Sequence, residues 1–139
     1  MTKNKFIRYI TLFLIGGFLY CCIEVIARGF SHISMLIAGG LAFVLIGNLN
    51  KTRKDMSLIG QMFISMIIIT FIELFTGIIV NKIMGLDVWD YSNLPYNFQG
   101  QICLLFMNIW FFLSAFAIIL DDYIRYYFMG EDKPSYKIL

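Results

Sequence analysis

Two carboxylates stand inside long apolar runs, Glu24 in "FLYCCIEVIARG" and Glu73 in "ITFIELFTGII". Burying an acid in a membrane-length run costs on the order of 2.5–3.5 kcal/mol at the centre of a span and less toward its ends. Such acids therefore mark solute paths, proton relays or specific inter-helix bonds. At about 100° per residue, Gly16, Gly17, Tyr20, Glu24 and Arg28 fall on one side of the first run, and Arg28, four residues on, can pair with Glu24. Glu73 shares an arc with Thr70, Gly77 and Asn81, and the next cation along the chain, Lys82, lies on another face. Its partner must come from elsewhere, with Arg28, His32, Gln101 or a water the expected sources. A carboxyl so placed can carry a proton, which proton-coupled transport would use; the competing role is hydrogen-bonded glue between helices.

His32, the sole histidine, falls at a helix boundary, where an interfacial hydrogen bond or proton handling is expected of it. Gln101 and Asn108 align on the last apolar run and, being costly in lipid without partners, are expected to point inward. Between the third and fourth runs lies "VWDYSNLPYNFQGQICL". There Asp90 and Ser92 can close an Asx- or ST-type turn, Pro95 stiffens the chain, and Gly100 lets it bend into the last helix. Trp89 and Tyr91 are expected at headgroup depth. The whole segment reads as an ordered cap or shallow re-entrant structure over the outer ends of the helices, covering Glu24 and Glu73; the competing reading is a well-packed interfacial loop.

The elements that must hold these groups follow from composition. With 60% apolar and 14% charged residues and a mean hydropathy of +0.78, the 139 residues lack the polar surface of a soluble domain. Apolar runs of spanning length, about 17–25 residues, occupy 6–27, 31–49, 57–84 and 101–120, with an outer segment at 86–100. They are continuously apolar, without the period-two alternation of barrel strands. The expected fold is all-α: one integral membrane four-helix bundle spanning residues 1–139. The first run is too long for a secretory signal and is expected to stay as an anchor. Glu24 and Glu73 lie 49 residues apart, close to one helix pair, which suggests a 2+2 parallel repeat.

Charge orients the bundle. Lys3, Lys5, Arg8, Lys51, Arg53, Lys54, Arg125, Lys133 and Lys137 gather on one side, and only Arg28 and Lys82 on the other. The positive-inside bias puts both termini in the cytoplasm. The net charge of +2 thus follows topology, with no basic patch for nucleic acid. Cys21, Cys22 and Cys103 have no metal-site spacing and are expected to pack as small apolar groups. No nucleophile–base pair, metal-ligand set or cofactor motif is found, so no catalytic residue, metal or cofactor is expected.

The second half carries a resemblance. Glu73, Thr76, Gly77, Trp89, Asp90, Tyr91, Ser92, Pro95, Asn97, Gly100, Ile102, Cys103, Leu104 and Trp110 form a pattern similar to that of the small bacterial membrane family known as putative ABC-transporter permeases. The resemblance implies a helical protein of the bacterial cytoplasmic membrane with a motif-bearing outer segment. It also implies solute movement alongside a separate ATPase, since the chain has no P-loop pattern. The candidate site is therefore Glu24, Arg28, His32, Glu73, Thr76, Asn81, Trp89, Asp90, Tyr91, Gln101 and Asn108. Partners expected are the lipid bilayer and further copies of the chain, meeting at a small-residue face such as Gly39, Gly40 and Gly47. The alternative to a transporter is a non-enzymatic scaffold or holin-like pore.

Overall fold

The computed structural model describes residues 4–52 and 56–138. Lys3, Arg53 and Lys54, part of the charge argument, lie outside them, as does the side chain of Lys51. Asn4 opens α1 (Lys5–Arg28) by accepting from the amides of Phe6 and Ile7, which satisfies two of the donors that a helix start leaves unpaired. Next come α2 (Ile33–Thr52) and α3 (Leu58–Gly77), the latter continuing as a π-helix over Ile78–Ile83. A ribbon of two short antiparallel strands, β1 (Asn97–Phe98) and β2 (Ile102–Cys103), leads into α4 (Leu104–Met129). α1, α3 with its π-helical end, and α4 are each long and apolar enough to cross a membrane. The apolar part of α2, Ile33–Leu49, sits at the short end of the usual range of about 17–25 residues. The chain is an all-α membrane bundle.

Both boundaries of α4 differ from those predicted. α4 begins at Leu104 rather than at residue 101, because Gln101 to Cys103 are taken up by the ribbon. It also runs nine residues past 120, to Met129. At 1.5 Å per residue its 26 residues reach about 39 Å, more than the hydrocarbon thickness of about 30 Å, so its last turns belong to the interfacial layer. Ile118, Asp121, Asp122, Arg125 and Met129 are all buried on these turns, at the three- and four-residue spacing of one helix face. The charges that seemed to end a span continue its packed side.

α1 and α2 form a tight hairpin. The place for a Cβ on Gly17 is filled by the Leu36 carbonyl, and that on Gly40 by the Phe13 carbonyl, so each helix offers a glycine to the other's backbone. Gly39 seats Tyr20, and Gly47 receives the Asp121 carboxylate from α4. The glycines expected to join copies of the chain are thus packed against neighbours within it. Gly40→Val is expected to cost about 1–3 kcal/mol, since the overpacked neighbour is backbone, while Cys22→Ala, on an exposed position, should change stability by less than about 0.5 kcal/mol. Thermal unfolding in detergent compares the two, and equal midpoints would contradict the contact.

The two chain ends and the start of α3 share one end of the bundle. Leu58 and Ile59 donate their amides to the carbonyls of Lys137 (2.6 Å) and Ile138 (3.2 Å), so the C-terminal tail satisfies donors at the start of α3. Beside it, Arg125 meets Asp121 at 3.0 Å and Glu131 at 3.4 Å, Arg8 reaches Glu131 at 3.7 Å, and the Tyr136 hydroxyl donates to Asp122 at 2.8 Å. Partial burial and the Asp122 bond push the Tyr136 phenol up, keeping it a donor. Segment 86–100 covers the opposite end.

Candidate functional site

The cap is built on Asn81. In the π-helix each amide reaches one residue further back than in an α-helix, and within this stretch Asn81 is turned into the protein, 8% exposed. Its carbonyl oxygen accepts from the amides of Val88 (2.6 Å) and Trp89 (3.4 Å) while its amide donates to Gln101 Oε1 at 2.8 Å. Gln101, 4% exposed, in turn donates to the Gln99 carbonyl, and the Trp89 indole donates to the Gln101 carbonyl at 3.0 Å. The close seat of Gln101 and Trp89 against Gly77 explains why no side chain stands there.

The turn expected at Asp90 is present. The carboxylate accepts from the Ser92 amide at 2.9 Å and from its hydroxyl, and these two bonds hold the exposed Asp90 carboxyl below its usual range. Gly100 lies at φ +71° with Asp90 and Ser92 against it, where a Cβ would collide. Asp87, Tyr96 and Gln99 also take positive φ, 50° to 57°, a conformation uncommon outside glycine and kept only where surrounding bonds over-determine it. Here those bonds include Asn97 donating to the Leu94 carbonyl, the Gly100 amide donating to Asn97, and the Tyr91 amide donating to the Gly100 carbonyl. Segment 86–100 is an ordered lid.

Beneath it is a cavity of about 190 Å³ whose wall includes Glu24, Arg28, Glu73, Thr76, Trp89 and Tyr91. Both glutamates therefore face one space, from α1 and α3. Glu24 accepts from the Tyr20 hydroxyl at 2.8 Å, and Arg28 Nε approaches its other oxygen at 2.9 Å, a close pair that is not aligned as a hydrogen bond. Arg28 also donates to the Val88 carbonyl at 2.8 Å and lies 4.3 Å over the Phe30 ring, tying the end of α1 to the lid. Among the described residues, Glu73 is bonded by none of Arg28, His32 and Gln101. Its two oxygens accept from the Tyr91 hydroxyl at 2.8 Å and from the Trp110 indole at 3.1 Å. Burial, followed by the Glu73 charge and hydrogen bond, drives the Tyr91 phenol well above its ordinary range, so it stays protonated and donates.

Trp89 and Tyr91 thus turn into the protein rather than outward. Trp89 is 6% exposed, and Tyr91 turns down to Glu73 while stacking on Phe106 at 4.6 Å. The exposed Tyr96, by contrast, faces outward as an anchor would. His32 caps α2: its Nδ1 accepts from the Ser34 amide at 3.1 Å and meets the Ser34 hydroxyl at 2.8 Å, away from the cavity wall. Asn108 is exposed and returns its amide to the Leu104 carbonyl, one turn back on its own helix. It does not point inward, because this back-bond satisfies the donor without a neighbour. Asn81, Asp90 and Gln101 build the lid and do not line the space below.

Two cavity residues that bond the glutamates were missed, Tyr20 and Trp110, whose rings lie 6.0 Å apart. The signal for Tyr20 was present, four residues before Glu24 on the same arc. Nothing in the sequence marks Trp110 as the Glu73 donor. Leu19 and Ile23 of α1, and Phe116 and Leu120 of α4, line the cavity while remaining exposed on the bundle surface, so its edge is a seam between α1 and α4. A family model described as "Putative ABC-transporter type IV" matches residues 5–131. No solved structure matches the chain.

Proposed function

The chain belongs to the family of putative ABC-transporters of type IV, and from that membership we propose that it is a non-enzymatic permease subunit holding a small solute or ion between Glu24 and Glu73. The observation that carries this reading is the shared cavity: acids on two different helices face one space under an ordered lid. If both served only as glue, the membrane cost of each would be offset without need of a shared space. Glu24, Arg28, Glu73, Thr76, Trp89 and Tyr91 form the solute site in this proposal. Asn81, Asp90 and Gln101 hold its lid, and His32 and Asn108 drop out.

The proposal places the chain in the bacterial cytoplasmic membrane with four spans and both termini inside, in keeping with the charge distribution and with the meeting of both chain ends at one end of the bundle. Assembly with further copies is included, because four helices around about 190 Å³ enclose a site rather than a path. A separate ATPase is included because the sequence carries no P-loop. Proteoliposomes holding the chain are expected to show saturable counterflow of a solute from a labelled panel of amino acids, sugars and organic cations, with and without an ATPase that co-purifies. Unselective leak of all solutes would instead support a holin-like pore, and no flux in any combination would support a scaffold.

A further inference from the structure

Resting on the reading of the cavity as the solute site, we propose that its solute is a small organic cation with an apolar body, bound by the Glu73 carboxylate among aromatic rings. Charge is the first ground. Glu24 is matched by Arg28 at 2.9 Å, whereas among the described residues Glu73 receives only the neutral donors Tyr91 and Trp110. The three charged groups on the wall therefore sum to one negative charge, which a site inside the bilayer must neutralise with a proton or a bound cation. The wall is the second ground. Tyr20, Trp89, Tyr91 and Trp110 all line the space, and ring faces attract cations most strongly where water is excluded.

Size and access agree. A cavity of about 150 Å³ accommodates benzene, so about 190 Å³ suits a cation of a handful of heavy atoms. The seam between α1 and α4 is bordered by Leu19, Ile23, Phe116 and Leu120, which an apolar body can pass. A bare inorganic ion fits poorly, since it replaces its water with about six to eight oxygens, and here two carboxylates and a few hydroxyls stand among carbon walls.

Trp89 and Trp110 are the two tryptophans of the chain, and both line the cavity, so intrinsic fluorescence of the purified protein reports on this space. The probes are choline chloride, its uncharged isostere 3,3-dimethylbutan-1-ol, and potassium chloride at matched ionic strength. Choline is expected to give a saturable change, with the alcohol at least tenfold weaker and potassium without saturable effect. Glu73→Gln is expected to weaken choline at least tenfold and leave the alcohol unchanged. The wild-type comparison needs no variant, so a poorly folding Gln form would not decide the matter. The alcohol binding as tightly as choline, potassium saturating the signal, or no probe binding at all would each overturn the cation class. Saturable counterflow of some other solute in proteoliposomes would then leave the transport reading standing, whereas absence of flux for every solute would remove that reading too.

Discussion

Arg125→Leu is expected to destabilise the protein by about 3–5 kcal/mol, the range for removing one partner of a buried ion pair. Asp121 is 0% exposed and Arg125 4%, so neither charge can turn to water when the other is lost. The carboxylate is also pressed against Gly47, which leaves it no room to swing away. Among the described residues, Asp121 Oδ1 and Arg125 Nη2 already have no hydrogen-bond partner, so little compensation is at hand. The same change releases Glu131, which Arg125 shares with Arg8, and should loosen the tail that pairs with the start of α3. The double replacement Asp121→Leu with Arg125→Met should recover most of the loss, because an apolar pair of similar volume avoids the desolvation cost altogether. Chemical unfolding of the purified protein measures both. A single-variant loss below about 1 kcal/mol is the size expected of a solvent-screened pair and would contradict the burial.

Glu73→Gln is expected to abolish saturable solute flux in proteoliposomes while changing stability by no more than about 1 kcal/mol, the net worth of one ordinary hydrogen bond. The stereochemistry explains why the fold survives. Trp110 can only donate, whereas a tyrosine hydroxyl donates or accepts. The Gln amide can therefore set its oxygen toward Trp110 and its NH2 toward Tyr91, whose hydroxyl reverses. Shape and bonds are kept, and the negative charge and titratable proton are gone. Glu73→Leu is less informative, because it strips both donors of their acceptor at about 1–3 kcal/mol for each buried group left unpaired. Full flux in the Gln variant would make Glu73 a structural bond between the lid, α3 and α4, and would remove it from the solute site.

What the sequence determined by itself is what local physics governs. Apolar runs of spanning length must be helical, because lipid offers nothing else for backbone amides to bond, and four such runs appear where the hydropathy puts them. The Glu24–Arg28 pair was legible because both residues lie on one helix, a turn apart. The Asp90–Ser92 turn was legible because both partners lie within three residues. The inward arc of Thr70, Gly77 and Asn81 followed from helical periodicity, and all three are buried. Tertiary structure decided everything that depends on which element meets which. Glu73 draws its partners from 18 and 37 residues away, a distance over which periodicity carries no information. Trp89 turns into the protein because Asn81 accepts from its backbone amide and the Gln101 carbonyl from its indole. A glycine stripe announces a close approach without naming the helix that approaches, and here that helix belongs to the same chain. The run predicted to end at 120 continues as a packed helix through Asp121, Asp122 and Arg125, which Gly47 of α2 and the tail from Glu131 to Ile138 cover together.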